Sequence, residues 1–195
     1  MVIQENRLEF SFRDGTQAIK YDDTPFYRQR YERLPGAKGV DILAVSPTVF
    51  YIIEVKDCSD TAQNQDKWRR SFSQELGMNT LAEEIALKVA HTCAALVGVK
   101  TFGERCAAGE VLQPMANSLT NNDIPQLKKR LLVLLYLEGD FSCQTRPNEE
   151  IYRGIRDRIA RKLKWLNCYV DVVSTSTHKA MDFSVQLVPK KEDKG

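Results

Sequence analysis

Apolar and polar residues alternate loosely through LEFSFRDGTQAIKY, on either side of Asp14-Gly15. An Asp-Gly step favours the left-handed backbone of tight turns, so a hairpin is predicted with strands near 7–13 and 16–21. At Asp23-Thr24-Pro25 the pattern turns into a helix start. Thr24 would cap free N–H groups, and Pro25, with no N–H to lose, would take the first helical position. That helix is expected through FYRQRYERL and ends at Pro35-Gly36. Strands 40–45 and 49–56 follow, joined by Ser46-Pro47-Thr48. Residues 57–78 are polar without a clear period and read as a loop with room for a short helix.

From a cap at Asn79-Thr80 a long helix is predicted to Gly98. Glu83 is placed for a capping box, and Leu81, Ile85, Val89 and Leu96 form its apolar stripe. Residues 99–126 read as irregular. Leu131 to Leu137 is a continuous apolar run stopped by Gly139-Asp140, the mark of a strand buried on both faces. Asn148 opens a helix to about Leu166, with Tyr152, Ile155, Ile159, Leu163 and Leu166 on one stripe. Strands in CYVDVVS and FSVQLVP come last, before a charged tail, 189–195, expected to fray. The order ββ-α-ββ-α-β-α-ββ, without repeat or linker, predicts one domain over 1–195. Its class is mixed α/β, with a central mixed sheet flanked by helices.

Composition changes this picture little. The chain has 195 residues, 43% hydrophobic and 28% charged, enough for a real core, and a formal net charge of +2 that neither requires nor excludes a polyanionic partner. Its five cysteines are Cys58, Cys93, Cys106, Cys143 and Cys168. They are odd in number and lack zinc-ligand spacing, and neither His91 nor His178 completes a site, so no structural zinc is expected. Scattered cysteines without a signal-peptide pattern point to free thiols in a reducing cytoplasm. No apolar run approaches the roughly 20 residues of a bilayer span, so no membrane partner is expected. Nothing supports a Ser-His-Asp or Cys-His nucleophile, a P-loop or a dinucleotide fingerprint.

The chemistry concentrates in GVDILAVSPTVFYIIEVKDC, Gly39 to Cys58. A two-residue loop at Pro47-Thr48 would pair Ser46 with Val49 and set Asp41 opposite Glu54, on one sheet face about 5 Å apart. Lys56, two residues on, shares that face. Pro47 cannot adopt the positive φ of the usual hairpin turns, so a longer loop is expected. A slip of one residue would send Asp41 to the other face unless a bulge restored it. Two carboxylates on a buried face repel, and a divalent cation resolves this. Mg²⁺ is typically held by one or two carboxylates plus water and phosphate oxygens. An adjacent lysine can position a water or stabilise developing charge. Glu-x-Lys by itself is a common pattern, and solvated strand ends would look the same.

These residues resemble the signature of the PD-(D/E)xK nuclease superfamily, the restriction-endonuclease-like fold. In that signature an Asp on one strand precedes Glu/Asp-x-Lys on the next, within an α-β-β-β-α-β core. The matching residues are Asp41 in G-V-D and Glu54 and Lys56 in E-V-K, and the resemblance covers roughly residues 20–175. It implies that Asp41, Glu54 and the backbone carbonyl of Val55 bind Mg²⁺ or Mn²⁺, with Lys56 acting on the water. Glu32, on the helix before the motif strands, is the candidate for an additional acid. The substrate implied is nucleic acid, DNA ahead of RNA. One site per domain would favour a homodimer for cutting both strands of a duplex. An enzymatically silent domain of the same fold, binding nucleic acid or protein, is the alternative.

Further candidates for nucleic-acid contact are Trp68, Arg69 and Arg70, which mix an aromatic with cations just after the motif. Arg153, Arg161 and Lys164 point away from the apolar stripe of their helix and could track phosphates. Trp68 could equally anchor the core, and a charged helix face is usually solvated. His91 reads as a packed histidine and His178 as exposed.

Overall fold

A computed structural model describes residues 1–103, 107–143 and 146–189 of the chain, so Cys106 and all but the first residue of the charged tail lie outside the described residues. In chain order the strands and α-helices are β1 Val2–Glu5, β2 Leu8–Phe12, β3 Gln17–Lys20, α1 Pro25–Gln29, β4 Ile42–Val45, β5 Val49–Asp57, α2 Ala62–Phe72, α3 Glu75–Phe102, α4 Gln113–Thr120, β6 Arg130–Glu138, α5 Asn148–Lys162, β7 Tyr169–Val173 and β8 Phe183–Leu187. The fold is mixed α/β. A five-stranded sheet runs β3-β4-β5-β6-β7, antiparallel through β5 and parallel from β5 to β7. A second sheet, β1-β2-β8, is antiparallel throughout.

The period of two along the strands sorts the core into two layers. Phe50 and Ile52 of β5 and Leu131, Val133, Leu135 and Leu137 of β6 face the helices, packing on Ile85, Val89 and Leu96 of α3 and Ile155 and Ile159 of α5. Tyr51, Ile53 and Val55, with Leu134 and Tyr136, face the small sheet and meet Leu8, Phe10, Phe12 and Phe183. The central mixed sheet thus matches expectation, but helices cover only one of its faces, and the second sheet covers the other. Each fully buried Leu or Phe stabilises by roughly 1.5–3 kcal/mol, which is why strand parity is so firmly held.

Several elements depart from the sequence reading. Asp14-Gly15 makes a turn, with Thr16 N–H donating to Arg13 C=O at 3.1 Å and Gly15 at φ +84°. The flanking strands do not pair, however: β2 bonds β1 and β8, and β3 bonds β4. The alternation was real, but Leu8, Phe10 and Phe12 bury against the large sheet, which sends β2 into the other layer. Thr24 does cap α1, accepting from Tyr27 N–H at 3.2 Å, and Pro25 opens the helix. That helix closes at Gln29, and a 3-10 turn follows at Tyr31–Arg33.

The segment 57–78 holds α2, capped by Thr61, and α3 starts at Glu75 rather than at Asn79-Thr80. Thr80 Oγ1 donates back to Leu76 C=O inside the helix, so neither Thr80 nor Glu83 forms a cap. Residues 99–126 carry the end of α3, a 3-10 segment at Ala107–Leu112, and α4. At 28 residues, α3 is long and apolar enough by length and composition to cross a membrane, although no single apolar run in it is long. Its buried face here lies in the core of the helix layer. His178 is half-buried, bonded to Tyr136 Oη at 2.7 Å and to Phe183 C=O at 3.1 Å, not exposed as expected.

Candidate active site

The hairpin β4–β5 sets the geometry. Ile42 pairs with Ile53 and Val45 with Phe50, and Ser46 N–H donates to Val49 C=O at 2.9 Å. The loop is therefore two residues, Pro47-Thr48, and not longer. Ser46 Oγ accepts from Val49 N–H at 3.1 Å, which closes the turn without positive φ at either loop residue. This is the register that places Asp41 opposite Glu54. Leu43 and Val45 of β4 and Phe50 and Ile52 of β5 face the helix layer, so Asp41, Glu54 and Lys56, in step with them, face it too.

The ladder ends at the Ile42–Ile53 rung, and Val40 N–H turns away to Thr92 Oγ1 at 3.2 Å. Val55 N–H is taken instead by Asp41 Oδ2, at 2.6 Å. A strand residue directs its own N–H and C=O to the same side, so the Val55 carbonyl points to the Asp41 side of β5. Helix α3 supplies two further charges one turn apart. Lys88 Nζ lies 2.5 Å from Glu54 Oε1 and 3.9 Å from Asp41 Oδ1. Lys56 Nζ lies 3.0 Å from both Glu54 Oε1 and Glu84 Oε1. The Glu54 side chain is only 2% exposed, and its Oε2 is buried with no hydrogen-bond partner among the described residues.

The electrostatics follow from that packing. Burial, then the charge of Glu54, pushes the Asp41 carboxyl up to about 7, against the opposing pull of Lys88, the Val55 N–H and Lys56. Burial alone would lower Lys56, but the charge and hydrogen bond of Glu54, and then those of Glu84, more than offset it and raise the ammonium above its ordinary value. Glu84 goes the other way. Burial would raise it, yet Lys56, Lys88 and Lys38 hold it below the usual carboxylate range. Lys56 is thus a firmly charged donor and Asp41 a carboxyl near its titration point at neutral pH.

The cluster opens on a cleft of about 640 Å³ lined by Asp41, Glu84, Lys88, Lys38, Tyr27 and Asp22 among others, with Glu54 buried beneath. Glu32, on the 3-10 turn after α1, is exposed and lines the same cleft. His91 holds the cleft margin, accepting Lys38 N–H on Nδ1 at 3.1 Å. Among the described residues no group of three or more His, Cys, Asp or Glu side chains forms a metal cage. The donor set suits a hard cation that keeps several waters: two facing carboxylates, one with an unpartnered buried oxygen, and a carbonyl beside them.

The remaining candidates lie apart from this cluster. Trp68 is half-buried, its ring 5.2 Å from Phe72, and packs on the core. Arg69 is held by Asp66 and by Asp140 C=O, while Arg70 is exposed. Arg153 is exposed and pairs with Glu150 at 4.0 Å. Arg161 and Lys164 are exposed at the end of α5, just before β7, whose first residue Tyr169 pairs with Leu132, itself opposite Tyr51. Glu54 and Lys56 lie three and five residues further along β5, roughly 10–17 Å away along the strand.

Glu84 and Lys88 were missed by sequence reading. An acid and a lysine at i, i+4 on a helix ordinarily form a solvated pair. The available signal was their position beside the apolar stripe of Ile85 and Val89.

No curated protein and no solved structure matches the chain significantly. Residues 24–186, a span that contains Asp41, Glu54, Lys56, Glu84 and Lys88, match one described family, and the chain belongs to it: the family of unknown function DUF6661.

Proposed function

We propose that the protein is a metal-dependent nuclease that hydrolyses phosphodiester bonds, of DNA in preference to RNA, in the cytoplasm. The observation that carries this reading is the convergence of Asp41, Glu54 and Lys56 on one sheet face, beside an open cleft that Asp41, Glu84 and Lys88 line. The G-V-D and E-V-K residues are also those by which the sequence resembles the PD-(D/E)xK nucleases. The order here is β3-α1-β4-β5-α2-α3-α4-β6, so the first helix falls after the first strand of the meander, one place later than in that superfamily.

Asp41, Glu54 and the Val55 carbonyl would hold Mg²⁺ or Mn²⁺, which supplies Lewis acidity toward a phosphoryl oxygen and acidifies a bound water. Lys56, kept charged between Glu54 and Glu84, orients the attacking water by donation and stabilises charge on the phosphate; it is not a base. Lys38 at the cleft margin adds a cation facing the phosphate backbone. With one such centre per domain, cleavage of both strands of a duplex calls for a homodimer.

The test is incubation of the purified chain with duplex and single-stranded DNA and with RNA, in Mg²⁺, Mn²⁺ or EDTA. Metal-dependent cleavage that disappears in Lys56→Ala, with circular dichroism unchanged, supports the reading. A second reading is a catalytically silent domain of the same fold that binds nucleic acid or protein. Lys88 favours it, because its ammonium already stands between the two carboxylates. DNA retention without cleavage in either metal would select it.

A further inference from the structure

Lys88 stands where a cation shared by Asp41 and Glu54 would stand. Its Nζ is 2.5 Å from Glu54 Oε1 and 3.9 Å from Asp41 Oδ1, and its side chain is 17% exposed. It thus spans two carboxylates that come from different strands and would otherwise repel. Lysine is a compact point charge on a flexible four-carbon stem, so it can leave this position without moving the helix. An alternative partner lies one turn back: Glu84 lines the same cleft, and Lys56 already binds it. A divalent ion sits about 2.0–2.1 Å from carboxylate oxygens, so an ammonium and a metal exclude each other between these two groups.

We propose that Lys88 is an internal counter-ion that competes with the divalent cation for Asp41 and Glu54 and, once displaced, turns toward Glu84 and the cleft to face the substrate phosphate. The exchange also corrects the local charge. Counted as formal charges, three carboxylates and two ammonium groups leave the cluster one net negative charge. Adding a divalent ion makes it one net positive, which matches a phosphodiester anion. Lys88 thereby ties cation affinity to the state of the cleft. This inference rests on the metal-dependent reading of the site.

Mn²⁺ binding to the full chain, followed by isothermal titration calorimetry at pH 8, tests it without reference to turnover. Lys88→Met is expected to bind Mn²⁺ about tenfold or more tighter than the unaltered protein, because no ammonium must be displaced. Lys88→Arg, which keeps the cation, is expected to bind no tighter than the unaltered protein. Should Lys88→Met require metal to fold, Lys88→Gln is titrated in its place, and a melting temperature that rises more with Mn²⁺ than in the unaltered protein counts as support. Binding by the unaltered protein with equal or weaker binding by Lys88→Met and Lys88→Gln overturns the role of Lys88 and leaves the metal reading standing. Absence of Mn²⁺ binding in all of them overturns both.

Discussion

Strand β5 ends in two carboxylate environments three residues apart, and they differ in kind. Asp57 points to the small sheet. Its carboxylate accepts from Arg7 Nε at 2.7 Å, Arg7 Nη2 at 2.8 Å, Ser59 N–H at 3.2 Å and Ser59 Oγ at 3.1 Å. Burial would raise Asp57, but the hydrogen bond and charge of Arg7, then the Ser59 donors, hold it below the usual range. Glu54 points to the helices, opposite Asp41. There an oxygen of Glu54 is buried without a partner among the described residues, and Asp41 is pushed up to about 7. A carboxylate saturated with donors fixes structure. One that is buried, crowded by a like charge and short of donors costs stability and is retained where a ligand completes it. The comparison separates a staple between two sheets from a candidate site.

Breaking each side should give different readouts. Lys56→Ala is expected to lower metal-dependent cleavage by about 10²–10³-fold, measured on duplex DNA, with only a small loss in denaturant midpoint because Lys88 still pairs Glu54. Arg7→Ala should do the reverse. It strands the Asp57 carboxylate, 4% exposed, and is expected to cost about 2–3 kcal/mol in urea unfolding while leaving Mn²⁺ affinity unchanged. Because the folded-state value of Asp57 is depressed, its contribution is present above the unfolded value and lost as pH falls through the folded one. The deficit of Arg7→Ala should therefore shrink in acid.

Asp41→Asn is expected to be more stable than the unaltered protein in EDTA at pH 8, by about 1–3 kcal/mol, since the amide oxygen can still accept Val55 N–H and the repulsion with Glu54 is gone. The sign follows from a raised folded-state value. The stability that Asp41 contributes as a neutral acid is full below the ordinary carboxylate value and is lost as pH rises through about 7. Unfolding followed from pH 4 to 8 should show the advantage of Asn opening over that window. A constant difference would contradict it. Ser59→Ala removes one donor from Asp57 and is expected to cost about 1 kcal/mol, the smallest effect, again without altering cation binding.

How much was legible depended on the distance over which each contact is encoded. Glu54 and Lys56 could be placed together by strand parity, and Val49–Ile53 left no doubt which strand was buried, but Asp41 joins them only in the two-residue register. Pro47 argued for a longer loop, and Ser46 Oγ, closing the turn through Val49 N–H, decided the register. Asp14-Gly15 misled more. A turn signal reports where the chain bends and not which strand its arms will join, and β2 was claimed by β8, about 175 residues later. Trp68 among cations read equally as stacking platform and core anchor, and packing on Phe72 decided it.

The sequence by itself determined the mixed α/β class, the central apolar strands, the α1 cap at Thr24 and the sharing of one strand face by Glu54 and Lys56. These depend on periodicity and local backbone chemistry, which need no partner to be specified. Only tertiary structure decided that a second sheet, and not more helices, covers the far face, that α3 begins a turn early, and that Glu84 and Lys88 descend on the carboxylate pair. Those outcomes turn on which apolar surfaces meet across the core, and a helix does not declare from its own residues what its polar edge will face.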